Sequence, residues 1–208
     1  MPSQLHSLVK NHLLRLWPSV REEAHLVKNL PRIDEDYYDL IKALYELWPT
    51  SGAYPEDNQG RWRTIDFYIA NRHLLIEIDG EQHAHNGYRR DSFKYYPTDV
   101  GLSYDWRAVR DHCSTAKPQQ STSATSGWQR SRFFSHRDEE RAFRDLVADV
   151  VAYRMGLKLI RILPWQLPRT FSTDRPYTDF LRIYIDHWSS HGQAAKSRYP
   201  RLALVNGG

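Results

Sequence analysis

Cysteine is nearly missing from this chain. Cys113 is the only one in 208 residues, which excludes an internal disulfide framework and a zinc centre of several thiolates, and points to a reducing compartment. Long apolar runs are missing too. No stretch approaches the roughly 18 residues of a membrane span, and the sequence holds no phosphate-binding P-loop, no Rossmann glycine fingerprint and no HExxH pair. The opening stretch MPSQLHSLVKNHLLRLW has polar residues throughout its length, and its Leu5, Leu8, Val9, His12, Leu13 and Leu16 fall at the spacing of an amphipathic helix rather than a secretion signal. The expectation is an intracellular, soluble protein with no membrane partner.

Aromatics are plentiful. At 13% aromatic, 40% hydrophobic and 26% charged, the composition is that of a globular chain and argues against disorder along its whole length. A formal charge of +4 and a pI near 9.1 admit a polyanionic partner without requiring one.

The periodicity predicts helices over roughly Ser7 to Trp17, from an Asp34 N-cap to Trp48, over Asp138 to Met155 with Gly156 closing it, and over Tyr177 to Trp188. SVREEAHLV suits a strand or a short continuation of the first helix, and LKLIRIL reads as a strand. Between His85 and Asp138 periodicity fades, and STAKPQQSTSATSG has few apolar residues, so residues 86–136 read as an inserted, partly mobile loop. Residues 1–190 are expected to form a single domain and 191–208 a loose tail. The order of elements indicates an α/β domain with a mixed sheet.

RTIDFYIANRHLLIEIDGEQHAH is the stretch that carries chemistry. A hairpin turning at Asn71-Arg72 would set Ile65, Phe67 and Ile69 against Ile78, Ile76 and Leu74, an apolar face that fixes the register. Asp66 then lies opposite Glu77, and Asp79 projects from the same side two residues later. Like charges gathered this way call for a cation among them. Arginines at 61, 63, 144 or 161 could supply it; so could Mg²⁺ or Mn²⁺, hard ions that take oxygen ligands.

TIDFYIANRHLLIEIDGEQHA resembles the PD-(D/E)xK nuclease superfamily, in particular the branch related to the very-short-patch-repair (Vsr) endonucleases, with its D-F…E-[IVL]-D-G-x-x-H stretch. MGLKLIRIL, following the long helix, resembles the same branch more weakly. The resemblance covers residues 61–85 and 138–163, about a quarter of the chain, and implies a restriction-endonuclease-like fold, a mixed sheet flanked by helices. It implies a Mg²⁺- or Mn²⁺-dependent endonuclease acting on nucleic acid, DNA above all. Asp66 and Glu77 would be metal ligands, with the Ile78 carbonyl a third. Asp79 stands where the superfamily's lysine would be, so another group must fill that role, His83 the nearest. The catalytic set is then Asp66, Glu77, Asp79 and His83, with Glu23 and Gln82 as auxiliaries. Asp145 and Asp149, on the long helix, could meet the cluster or pair with Arg141 or Arg144, and their helical spacing favours the surface pairing. The structural zinc of the repair enzymes has no counterpart here.

RWR, YRRDSFKYY and WQRSRFF interleave cations with aromatics, as surfaces that meet phosphates and stack on bases do. Arg61, Arg63, Arg89, Arg90, Lys94, Arg130 and Arg132 are therefore candidate nucleic-acid contacts. Two other readings stand beside the enzyme: a non-catalytic nucleic-acid-binding module like the RAP domains, which carry a similar strand, and a subunit of a larger assembly.

Overall fold

The computed structural model describes residues 4–48, 53–56, 62–80, 87–115, 134, 137–167 and 175–191. Among them, in chain order, are α1 (Gln4–Leu16), β1 (Arg21–Lys28), α2 (Tyr38–Glu46), β2 (Trp62–Ile69), β3 (Leu74–Ile78), α3 (Gly87–Ser92), α4 (Trp106–Thr115), α5 (Arg137–Arg154), β4 (Lys158–Ile162) and α6 (Arg175–His191).

The four strands form one mixed sheet in the order β1-β2-β3-β4, antiparallel except for the parallel β3 and β4. A parallel pair needs a crossover, and the stretch from α3 to α5 is that connection. Central β3, LLIEI, is apolar apart from Glu77 because both its faces are covered. On one face Phe67, Ile69, Leu74, Ile76, Ile160 and Ile162 pack with Val9 and Leu13 of α1 and Leu181 and Ile185 of α6. On the other, Tyr68, Leu75 and Leu159 pack with Ile41 and Leu44 of α2 and Phe143, Val147 and Val151 of α5. The expected α/β architecture with helices on both faces is present.

Helix α5 stops at Gly156, whose φ of 73° only glycine adopts without cost. Gly156 N–H donates to the Tyr153 carbonyl at 3.0 Å and Leu157 N–H to that of Ala152 at 2.9 Å, a Schellman closure that sends the chain straight into β4.

Three expectations need correction. Asp34 does not cap α2: Glu35 closes a turn there by accepting from the Arg32 N–H at 2.9 Å and from Lys28, and the helix begins at Tyr38 after a left-handed Tyr37. The hairpin turn has four residues, Ala70 to His73, built on a 3-10 turn with His73 at φ 53°, and it keeps the same register because the count is still even. The first half of the expected loop is helical, since Tyr104, Val109 and Cys113 bury themselves against Leu163 and fix α4 to the body. The polar stretch 116–133 and the tail 192–208 lie outside the described residues. No described helix is long and apolar enough to cross a membrane.

Candidate functional site

Strand β2 changes sides at Asp66. Phe67 and Ile69 pack toward α1 and α6, whereas Ile65 joins the cluster on the α5 side, so the expected pairing of Ile65 with Ile78 on one apolar face does not form. The ladder pairs Ile69 with Leu74, Tyr68 with Leu75 and Phe67 with Ile76. Beyond Phe67 a side chain takes over: Asp66 Oδ2 accepts from the Ile78 backbone N–H at 2.7 Å. Strand β1 is irregular at the same level. Glu22 pairs with Phe67 and Ala24 with Ile65, which leaves Glu23 at the position opposite Asp66, exposed and with a φ of 52°.

Glu77 is buried. Its Oε1 accepts from Arg63 Nη2 at 2.7 Å, and its Oε2 lies 3.4 Å from the Asp66 backbone N–H. Burial pushes its carboxyl up to about 7; the nearby Asp66 charge adds to this, and Arg63 pulls the other way without prevailing. Asp66 is also raised by burial, against the Ile78 N–H and His6. His6, on α1, stacks on Phe67 with centroids 4.8 Å apart and brings Nε2 within 3.8 Å of Asp66 Oδ1. The side chain of Asp66 remains 30% exposed.

Asp79 belongs to different surroundings. It is 1% exposed, its N–H donates to the Ile162 carbonyl at 3.0 Å, and its Oδ1 accepts from Arg161 Nη1 at 2.7 Å. Its Oδ2 is buried with no hydrogen-bond partner among the described residues. Arg161 also reaches Asp149 at 3.0 Å and Asp145 at 3.4 Å. Arg89 of α3 pairs with Asp145 at 3.2 Å and with Asp149 at 3.4 Å, while the hydroxyls of Tyr96 and Tyr104 donate to Asp149 Oδ2 at 2.6 and 2.7 Å. Burial opposes the charge on Arg161, but Asp149, Asp79 and Asp145 outweigh it and hold the guanidinium well above its ordinary pKa. Arg63 Nη2 closes the network at 3.2 Å from Asp145 Oδ1. Four carboxylates (Glu77, Asp79, Asp145, Asp149) are paired with three guanidinium groups (Arg63, Arg89, Arg161), and Asp66 lies beside them without an arginine partner of its own among the described residues.

The structure therefore brings Asp66 and Glu77 together and turns Asp79 inward. The Ile78 N–H is taken by Asp66. Arg89 is wholly buried and cannot meet a phosphate, and Arg63 is mostly buried on Glu77 and Asp145, so two expected rim cations belong to the interior. Arg90 is exposed and paired with Asp91, and Lys94 is exposed over the Tyr95 ring. Arg61, Gln82, His83, Arg130 and Arg132 lie outside the described residues. Asp145 and Asp149 are core residues rather than a surface pair. A signal for this was present: Ala142, Phe143, Leu146, Val147, Ala148, Val150, Val151 and Ala152 surround them, and a helix apolar nearly all round is a buried one. His6 carried no local signal.

Among the described residues, no three His, Cys, Asp or Glu side chains are grouped as a ligand set. A hard divalent ion needs only one or two carboxylates when waters and substrate oxygens complete its shell. Asp66, partly open, beside Glu77 fits that requirement. Asp79, held by Arg161, does not fit. No protein-family model, curated protein or solved structure matches the chain.

Proposed function

We propose that this chain is a Mg²⁺- or Mn²⁺-dependent endonuclease on a restriction-endonuclease-like fold, with DNA as its substrate. The observation that carries the reading is the meeting of Asp66 and Glu77 where β2 and β3 part, inside a cluster with more carboxylates than guanidinium groups. Asp66 and Glu77 would hold the ion, which polarises a phosphate and acidifies a bound water. The Ile78 N–H fixes the orientation of the Asp66 carboxylate. Burial keeps Glu77 dry, and a charge in such surroundings acts more strongly than one in water. Arg161 anchors Asp79 and with it the chain just beyond β3. Arg90 and Lys94, exposed on the crossover, would supply contacts to backbone phosphates.

The ion pairs Arg63–Glu77 and Arg161–Asp79 favour a second reading. Carboxylates already partnered by arginine suit a nucleic-acid-binding module that does no chemistry. The deciding experiment is nicking of supercoiled plasmid with Mg²⁺ or Mn²⁺, beside EDTA controls and the variants Asp66→Asn and Glu77→Gln. Cleavage that requires the metal and is lost in both folded variants upholds the nuclease. Silence on plasmid, branched DNA and RNA, together with no Mn²⁺ uptake by calorimetry, leaves the binding module.

A further inference from the structure

Resting on the nuclease reading, we propose that Arg63 is a catalytic residue: its guanidinium gives up Glu77 when a divalent ion arrives and takes hold of the scissile phosphate. A positive charge is needed beside Asp66 and Glu77, and the residue two places after Glu77 is an aspartate already committed to Arg161. Of the three guanidinium groups in the cluster, those of Arg89 and Arg161 are 0% exposed and enclosed by acidic partners, whereas the Arg63 side chain is 11% exposed and lies at the cluster's outer end. Its Nη2 is shared between Glu77 Oε1 at 2.7 Å and Asp145 Oδ1 at 3.2 Å, oxygens on two different elements that converge on one cationic nitrogen.

Arg63 also has a donor to spare. Its Nε is buried without a hydrogen-bond acceptor among the described residues, an arrangement that costs free energy and that an arriving phosphate oxygen would relieve. The planar fork can bind two phosphate oxygens at once, as a lysine cannot. The Arg63 guanidinium would be repelled from Glu77 Oε1 by a bound divalent ion and drawn over a short distance to the negative phosphate entering with substrate. In the reaction, water adds across a P–O bond: its oxygen joins phosphorus, the bond to the sugar oxygen breaks, and its proton leaves with that oxygen. Arg63 exchanges hydrogen bonds only, holding the non-bridging oxygens as their charge grows.

The test compares wild type, Arg63→Met and Arg63→Lys in single-turnover cleavage, in Mn²⁺ binding by electron paramagnetic resonance and in thermal melting. Arg63→Met is expected to lose about 10²–10³-fold in the chemical rate, the cost of removing one transition-state donor, with KM changed less than about threefold. It should bind Mn²⁺ more tightly than wild type, since the resident cation is gone. Arg63→Lys should recover part of the rate. A folded Arg63→Met that cleaves at the wild-type rate, or binds Mn²⁺ more weakly, overturns the proposal while leaving the nuclease intact. If Arg63→Met does not fold, Arg63→Lys decides: a rate equal to wild type overturns the proposal, and a loss of tenfold or more at unchanged Mn²⁺ affinity upholds it. A wild type that takes up no Mn²⁺ and cleaves nothing overturns the nuclease reading and this inference with it.

Discussion

Asp66 and Asp79 are the same residue type, close together where the ladder between β2 and β3 ends, and they live in opposite conditions. Asp79 is 1% exposed and held by Arg161, behind which stand Asp145, Asp149, Arg89 and two tyrosine hydroxyls. Asp66 is 30% exposed on its side chain and meets one backbone N–H and the edge of His6. Environment assigns the work. An acid enclosed by arginines resists every incoming ligand, because loosening it strands a buried charge; an acid kept partly open, beside a second one lifted toward neutrality, retains an appetite for a cation. Glu77 lies between the two conditions, buried though less completely than Asp79, and touching Arg63 at the cluster's outer end.

Breaking the enclosed side should have the largest effect. Arg161→Met leaves Asp79, Asp145 and Asp149 without a shared partner and is expected to cost about 3–5 kcal/mol, read as a lower urea midpoint or failure to fold. Next comes the intermediate acid. The folded chain holds the Glu77 proton up to about pH 7, where the unfolded chain releases it near 4.5, so its contribution to stability is full below pH 4.5 and lost as pH rises through 7. At 1.36 kcal/mol per pKa unit the loss is about 3 kcal/mol. Glu77→Gln should flatten that slope in urea melts between pH 4.5 and 8, matching wild type at the acid end and exceeding it at the alkaline end. Asp66→Asn keeps an acceptor for the Ile78 N–H and is expected to change stability by less than about 1 kcal/mol while abolishing Mn²⁺ uptake. A large destabilisation there would erase the contrast between the two aspartates. Smallest of all, Arg90→Ala removes an exposed pair with Asp91 and should shift the melt by less than about 0.5 kcal/mol while reducing the salt dependence of DNA affinity by about one phosphate contact.

Much of the frame was legible because its cause is local. The alternation of Phe67, Ile69, Leu74 and Ile76 sets a register that a longer turn than expected leaves unchanged. The stripe of α5 and Gly156 mark the long helix to within a residue at each end. What could not be read depends on partners distant in sequence. Asp145 and Asp149 look like surface charges until Arg89 and Arg161 arrive from a crossover helix and a strand. Arg89 sits in a basic, aromatic run that suggests a rim, yet the hydroxyl of Tyr104 and the acids of α5 draw it inward. The change of side at Asp66 breaks the rule of two on which the face assignment of Ile65 relied, and nothing within the strand announces it.

Glu23 sits on β1, which among the described strands is one border of the sheet. A strand in that place offers unpaired backbone groups to any other chain that can lie alongside it, the start of runaway aggregation. Here the left-handed twist at Glu23, the slip of register between His25 and Val27, and a row of exposed charged side chains from Arg21 to Glu23 spoil that template. The irregularity facing Asp66 thus also guards the protein against sticking to copies of itself.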